Sequence, residues 1–334
     1  MLIKFLSQLN FDERNFPIFF HRKWLLSEQD EITETLIYYD SECHCLISFS
    51  LKKLKILLKG EYNYIPVDVN GNPLNAVDEK SSIEKFHKFL KKNRVCDVIF
   101  PPQHFVNFNI IPSGCLFFKI GILKVNLESS EVDFLSKLNS ENRRQIKRAK
   151  EKNVTTEFGN HLIEDFYKTY LTTNMSKNIS SLDLNFFKKV VNFYGENCLI
   201  GVCYFNDLPQ AGVFDVFDKN NAYSLYSGTV PNLEVKGAKK LLINEEFNLL
   251  RNRKIYNYIF GGYREHLLKE DSLFYVQDFK KSMGAKVHTG VHFIKVFSPL
   301  NYSIFNLLLA IKSFFSKSKL GLINLNGVEV KKSK

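Results

Sequence analysis

The chain has 334 residues, of which 45% are apolar, 14% aromatic and 24% charged; this composition supplies a sizeable core and excludes wholesale disorder, a collagen-like repeat and a disulfide-stapled miniprotein. The formal charge of +11 is uneven, because residues 1–130 carry 16 basic and 15 acidic side chains whereas residues 131–334 carry 30 and 20. Anionic partners such as phosphates, nucleic acids or acidic lipid heads are therefore expected at the second half, although only nine of the 46 basic residues are Arg and codon bias is a competing source of lysine.

The opening MLIKFLSQLNFDERN is interrupted by Ser7, Gln8 and Asn10 before a signal core forms, and the apolar stretch 304–315 is shorter than a membrane span, so a cytoplasmic protein is expected. Residues 33–39 and 43–49 read as paired strands across Asp40-Ser41-Glu42, VNGNP at 69–73 as a turn, and 81–92 as a helix through Ile83, Phe86 and Leu90. Residues 95–101 read as a strand stopped by Pro101-Pro102. The six cysteines read as core thiols; Cys43-His44-Cys45 is too compact for a structural zinc site, and no metal is expected.

From residue 117 the pattern is sharper. A strand at 117–127 precedes one long helix at 131–152, with Ser129 and Ser130 as capping candidates. A strand at 154–158 and helices at 162–174 and 182–194 lead into three strands at 198–205, 211–217 and 221–227. The turn sequences Asn206-Asp207-Leu208-Pro209 and Asp218-Lys219-Asn220 between them predict an antiparallel meander. A helix at 233–250, a strand at 255–260, a helix at 272–283 and a strand at 288–297 follow.

Five segments stand on this frame in order: NRRQIKRAKEKNV, NDLPQAGVF, AYSLYSGTVP running into GAKKLLINEEF, IFGGYREH and DFKKSMGAKV. Together with the element order they resemble the FemAB branch of the GNAT acyltransferase superfamily, which holds the peptidoglycan aminoacyl transferases and sugar acyltransferase-like proteins; the resemblance covers about residues 117–297. It implies an α/β fold of tandem GNAT-like domains, each with a mixed, mostly antiparallel sheet flanked by helices. The division expected is a degenerate N-terminal domain at 1–116, an acyltransferase domain at 117–299 and a basic amphipathic tail at 300–334.

Within these segments Arg143, Lys147 and Lys150 share one helix face and Arg144 and Arg148 a neighbouring one. Such stripes suit phosphate, with a solvated helix face as the alternative. Gly237 stands where a GNAT enzyme places its pyrophosphate loop at a helix start, but Glu234 and Lys239 depart from that loop's pattern. The resemblance therefore implies an aminoacyl-tRNA donor, or else acyl-CoA, with no tightly bound cofactor. Tyr226, with Tyr223, would line the donor slot or simply pack the sheet. Gly261-Gly262-Tyr263-Arg264 is expected to end a strand and bend the chain, presenting Arg264 at the carboxyl edge of the sheet.

DFKKSMG resembles the family's late F-K motif, which implies that Lys280 balances charge at the reacting centre, with Lys281 as fallback. Asp215, Glu245 and Asp278 are the acids near the expected cleft, and no nucleophile–base constellation stands out, so direct attack rather than an acyl-enzyme is expected. The tail's Ile304, Leu307, Leu308, Ile311 and Phe315 fall on one helical side, near Lys312, Lys317 and Lys319. That side either docks on the parent domain or lies on the anionic inner membrane surface.

The function implied is transfer of an aminoacyl or acyl group to an amine of a phosphorylated cell-envelope precursor or sugar, with tRNA as a further partner. The alternative is a catalytically inactive GNAT-like module binding nucleic acid or anionic membrane through its basic half.

Overall fold

The structure, a computed structural model, describes residues 1–100, 105–128, 134–265, 267–316 and 331–333. The chain runs β1 (Leu2–Ile3), α1 (Arg22–Ser27), β2 (Thr33–Asp40), β3 (Cys45–Leu54), β4 (Leu57–Tyr62), β5 (Val67–Asp68), α2 (Ala76–Lys92) and β6 (Val98–Phe100). It continues through β7 (Leu116–Asn126), α3 (Phe134–Lys137), α4 (Ser140–Glu151), β8 (Thr155–Phe158), α5 (Ile163–Ser176), α6 (Leu184–Tyr194), β9 (Cys198–Phe205), β10 (Leu208–Phe217) and β11 (Asn221–Thr229). It ends with α7 (Ala238–Asn252), β12 (Asn257–Tyr263), α8 (Ser272–Ser282), β13 (Lys286–Val296), α9 (Pro299–Ser316) and β14 (Lys331–Lys332). Two compact units form, one of residues 1–122, 262–268 and 288–334, the other of residues 123–261 and 269–287.

In the first unit the strand order is β1-β2-β3-β4-β6-β13, antiparallel apart from the parallel β4–β6 pair. Helix α2 lays Ile83, Phe86 and Leu90 on this sheet, where Phe86, Tyr62, Phe108 and Phe293 form an aromatic core. The helix starts five residues earlier than its periodicity predicts, because the Asn75 carboxamide accepts from the Val77 and Asp78 N–H groups and caps a first turn that has no apolar face. Helix α9 docks through Tyr302 and Phe305 on Leu57, Val98, Phe100 and Ile294. The predicted stripe is thus not the docking side: Ile304, Leu307, Leu308 and Ile311 are exposed, and the side chains of Lys312, Phe315, Lys317 and Lys319 lie outside the described residues. Among the described residues no helix is long and apolar enough to cross a membrane.

The second unit's order is β8-β9-β10-β11-β12, antiparallel except for the parallel β11–β12 pair. Asn206 and Asp207 both have positive φ, 51° and 60°, the signature of a two-residue hairpin turn whose twist matches its strands. Strand β10 consequently begins at Leu208, three residues before its predicted start, and a register shift between Pro209 and Ala211 accommodates the proline. Helices α5 and α6 cover one face through Phe166, Phe187, Phe214 and Tyr226. Their close approach depends on Gly228, since a Cβ there would stand 2.3 Å from the Thr169 carbonyl carbon. Helix α7 covers the other face, with Phe247 between Phe134 and Tyr258.

The long helix predicted for 131–152 is interrupted between α3 and α4. Asn139 caps α4 by accepting from the Asn142 N–H at 2.8 Å, so a side-chain acceptor inside an otherwise helical pattern ends one helix and starts the next. The capping candidates Ser129 and Ser130 lie outside the described residues.

Candidate functional site

Strands β11 and β12 pair only over Asn221–Tyr223 against Asn257–Ile259, yet β11 runs on to Thr229. The parting starts where β11 carries one extra residue against β10: Phe214 faces Tyr226 and Asp215 faces Ser224, leaving Leu225 unmatched. A bulge of this kind sharpens local twist and bends the strand away from its neighbour. On the opposite rim Gly261 has φ +95°, a conformation that glycine adopts without a Cβ penalty. The result is an open wedge whose rims carry backbone groups without a strand partner in the gap.

One lysine reaches each rim. Lys239, the second residue of α7, donates to the Ser227 hydroxyl on β11 at 3.3 Å, and Lys280 of α8 donates to the Phe260 carbonyl on β12 at 2.6 Å. The Lys239 ammonium also lies 5.3 Å above the Phe279 ring, so Lys239 and the Phe279-Lys280 pair form one cluster. Both lysines are half-buried. Burial lowers Lys280 to about 8; burial, then Lys177 and Lys280, lowers Lys239 to about 8. Two ammonium groups brought together in a poorly hydrated cleft favour an anion between them.

At the closed end of the wedge, Asp215 of β10 and Glu246 of α7 are completely buried. The Tyr258 hydroxyl donates to Glu246 at 3.4 Å. Burial raises both acids, Glu246 further because Asp215 is beside it. Two adjacent carboxyl groups in a dry site do not both ionise, so the pair holds a proton at neutral pH. Glu246 lies seven residues beyond Lys239 on the sheet-facing side of α7, about 10 Å along the axis.

Gly237 caps α7 with φ −91°, and a Cβ there would stand 2.0 Å from the Gln145 carbonyl oxygen. Its missing side chain therefore admits α4 against α7. Asn142 of α4 is buried; it donates to the Ser282 carbonyl and accepts from Lys240, joining α4, α7 and the end of α8. Arg143 donates to the Ser136 and Leu138 carbonyls, closing the end of α3. Arg144 pairs with Glu141, Lys147 with Glu151 at 3.8 Å and Lys150 with Glu245 at 2.8 Å. The basic helix thus packs beside the start of α7, and Arg143, Arg144, Lys147 and Lys150 each lie near an acid or a carbonyl.

Tyr226 lies on the sheet face covered by α5 and α6, 5.2 Å from the Phe187 ring, whereas its neighbour Ser227 faces Lys239, as strand alternation requires. Tyr223 is fully buried. Gly261-Gly262-Tyr263 continues β12 rather than forming the predicted bend, and half-buried Arg264 follows in a segment of the first unit. Lys281 and Asp278 are exposed on α8. Sequence reasoning noted Lys239 only as a departure from the pyrophosphate-loop pattern two residues after the glycine that opens α7, and it missed Glu246 entirely.

Residues 122–207 match the sequence model of the FemAB family. The fold is similar to that of FemX, with TM-score 0.69 and 11% identity, covering 92% of this chain and 99% of FemX. It is also similar to a conserved protein of unknown function from Bacteroides thetaiotaomicron, with TM-score 0.54, 14% identity and coverage of 82% of this chain and 89% of that one. L-PGS from Bacillus licheniformis gives TM-score 0.50 and 10% identity over 82% of this chain and 87% of its own. No curated protein sequence matches the chain.

Proposed function

Starting from a FemAB-like chain of the GNAT branch, we propose that the second unit is an acyl or aminoacyl transferase whose reaction takes place in the wedge between β11 and β12. The observation that carries this reading is the pair of lysines, one on each rim, gathered around Phe279. An extended acyl arm laid in the gap would run between the parted edges of β11 and β12, and the phosphates of its carrier would meet Lys239. Lys280, already bonded to a carbonyl oxygen, is suited to hold the oxygen on which charge develops.

An acceptor amine attacks the ester or thioester carbonyl; the N–C bond forms while the C–O or C–S bond breaks, and the proton lost by the amine passes to the leaving group, directly or through water. A fixed cation at the developing oxyanion is worth on the order of 3 kcal/mol. The donor we assign is aminoacyl-tRNA or acyl-CoA, and the acceptor is an amine on a phosphorylated cell-envelope precursor or sugar. Label supplied on charged tRNA or acyl-CoA should appear on such an acceptor, and Lys280→Ala should slow the transfer about 10²–10³-fold with an unchanged melting temperature. No transfer from either donor, or an unaffected variant, would overturn the reading.

Arg143, Arg144 and Lys147 remain proposed contacts for the carrier, reached only by exchanging their present partners. The exposed Leu300, Ile304, Leu307 and Leu308 of α9, within a lysine-rich sequence, support peripheral contact with an anionic membrane surface. An inactive binding module would instead show affinity that falls steeply with salt and survives Lys280→Ala.

A further inference from the structure

A second cationic cavity lies wholly within the first unit. It has a volume of about 310 Å³ and is lined by Glu84, His87, Lys88 and Lys91 of α2, by Ser113, by Lys295 and Val296 at the end of β13, and by Phe297 just beyond it. Positions 84, 87, 88 and 91 follow the i, i+3, i+4, i+7 pattern, so one stripe of α2 faces the cavity. The transfer chemistry assigned to the wedge uses none of these residues.

The charges in it are directed. Lys295 donates to the Ser113 and Gly114 carbonyls at 2.7 and 3.1 Å, which leaves one of its three N–H groups for a ligand. Glu84 is the one acid of the lining, and its Oε1 already accepts from both the N–H and the hydroxyl of Ser113 at 3.1 and 2.7 Å. Lys88 and Lys91 are exposed at the rim. Three ammonium groups against one committed carboxylate leave the cavity two positive charges in excess. His87 is buried with Nε2 at 3.0 Å from the Tyr62 hydroxyl, and burial together with Lys295 keeps its ring neutral, lowered to about 3. Phe297, edge-on to His87 at 5.8 Å, gives an apolar wall with Val296.

Helix dipole compensation accounts for basic residues in the last turn of α2, but it does not account for Lys88, a turn earlier, or for Lys295 on another element converging on the same space. The last carbonyls of α2 are moreover occupied: Phe89 accepts from both the backbone and side-chain N–H groups of Asn93, and Leu90 from the Val95 N–H.

We infer that this cavity binds a small phosphate monoester, its dianionic phosphate held by Lys88, Lys91 and Lys295 and its organic part against Phe297. The cations are all lysines, compact point charges on flexible stems that can gather around one dianionic phosphate without the fixed planar geometry of a guanidinium. Calorimetric titration of the full chain with phenyl phosphate, inorganic phosphate and succinate tests the site. It is done in a Lys239→Ala/Lys280→Ala background so that the wedge does not contribute. Phenyl phosphate should bind once per chain and more tightly than inorganic phosphate or succinate. Lys88→Ala/Lys91→Ala, two exposed positions, should weaken it about tenfold or more, with Lys88→Arg/Lys91→Arg retaining binding. Absence of saturable binding, preference for succinate, or indifference to the Lys88 and Lys91 changes would overturn the assignment. Because the wedge lysines are removed throughout, the result is independent of the transferase reading.

Discussion

Lys239 and Lys280 are neighbours by geometry and stand 41 positions apart in sequence, and their ionisation is the property most open to measurement. With both held near 8, each is charged below that value and loses its proton as pH rises through it. Affinity for an anionic donor should therefore fall between pH 7 and 9, and Lys239→Arg, which stays protonated, should flatten the profile; a flat wild-type profile would contradict the assignment. The buried acids behave with the opposite sign from surface carboxylates. Asp215 is raised from 3.8 to about 6 and Glu246 is raised as well, so their contribution to stability is present below the unfolded values and lost as pH rises through the raised ones. Urea unfolding from pH 4 to 8 should show Asp215→Asn gaining on the wild type as pH increases. His292 and His87 oppose this, since burial lowers them to about 4 and 3 and acidification below their ordinary values destabilises the fold. The difference between variant and wild type, in which the histidines cancel, is therefore the quantity to compare.

At the level of elements, the wedge rests on three local irregularities: the extra Leu225 in β11, the positive φ of Gly261 in β12, and the close packing of α4 on the start of α7 at Gly237. The last is the easiest to perturb. Gly237→Ala would drive a methyl group into the Gln145 carbonyl, and overpacking of this kind costs about 1–3 kcal/mol. A lowered melting temperature is expected, together with slower transfer, because Lys239 lies two residues further along the displaced helix. Were Gly237 a phosphate-loop residue alone, alanine would weaken donor binding and leave the melting temperature in place. The split between α3 and α4 belongs to the same level: Asn139 and the Arg143 guanidinium together satisfy the groups that the break exposes.

For the whole molecule, the exposed side of α9 gives a test separate from catalysis. Leu307→Asp/Leu308→Ser should reduce co-sedimentation with vesicles of anionic lipid while leaving thermal stability unchanged, since Tyr302 and Phe305 make the docking contacts; equal sedimentation would remove membrane contact from the proposal. The amino-acid sequence by itself determined the antiparallel meander and most of the element order from residue 153 onward, because hydrophobic period and turn residues such as Asn206-Asp207 are local properties of the chain. It also placed the positive charge in the second half. Only the tertiary structure decided which cations face which space. Arg143, Arg144 and Lys147 were legible as members of two neighbouring basic stripes, yet Leu138, Glu141 and Glu151 occupy them; Lys239 was read only as a departure from the pyrophosphate-loop pattern, yet it reaches Ser227 and the Phe279 ring beside Lys280. The side of α9 that docks and the pairing of Asp215 with Glu246 were settled in the same way. A side chain's charge state and partners depend on what long-range packing brings within a few ångströms and on how much water that packing removes, and neither quantity is carried by residue spacing along the chain.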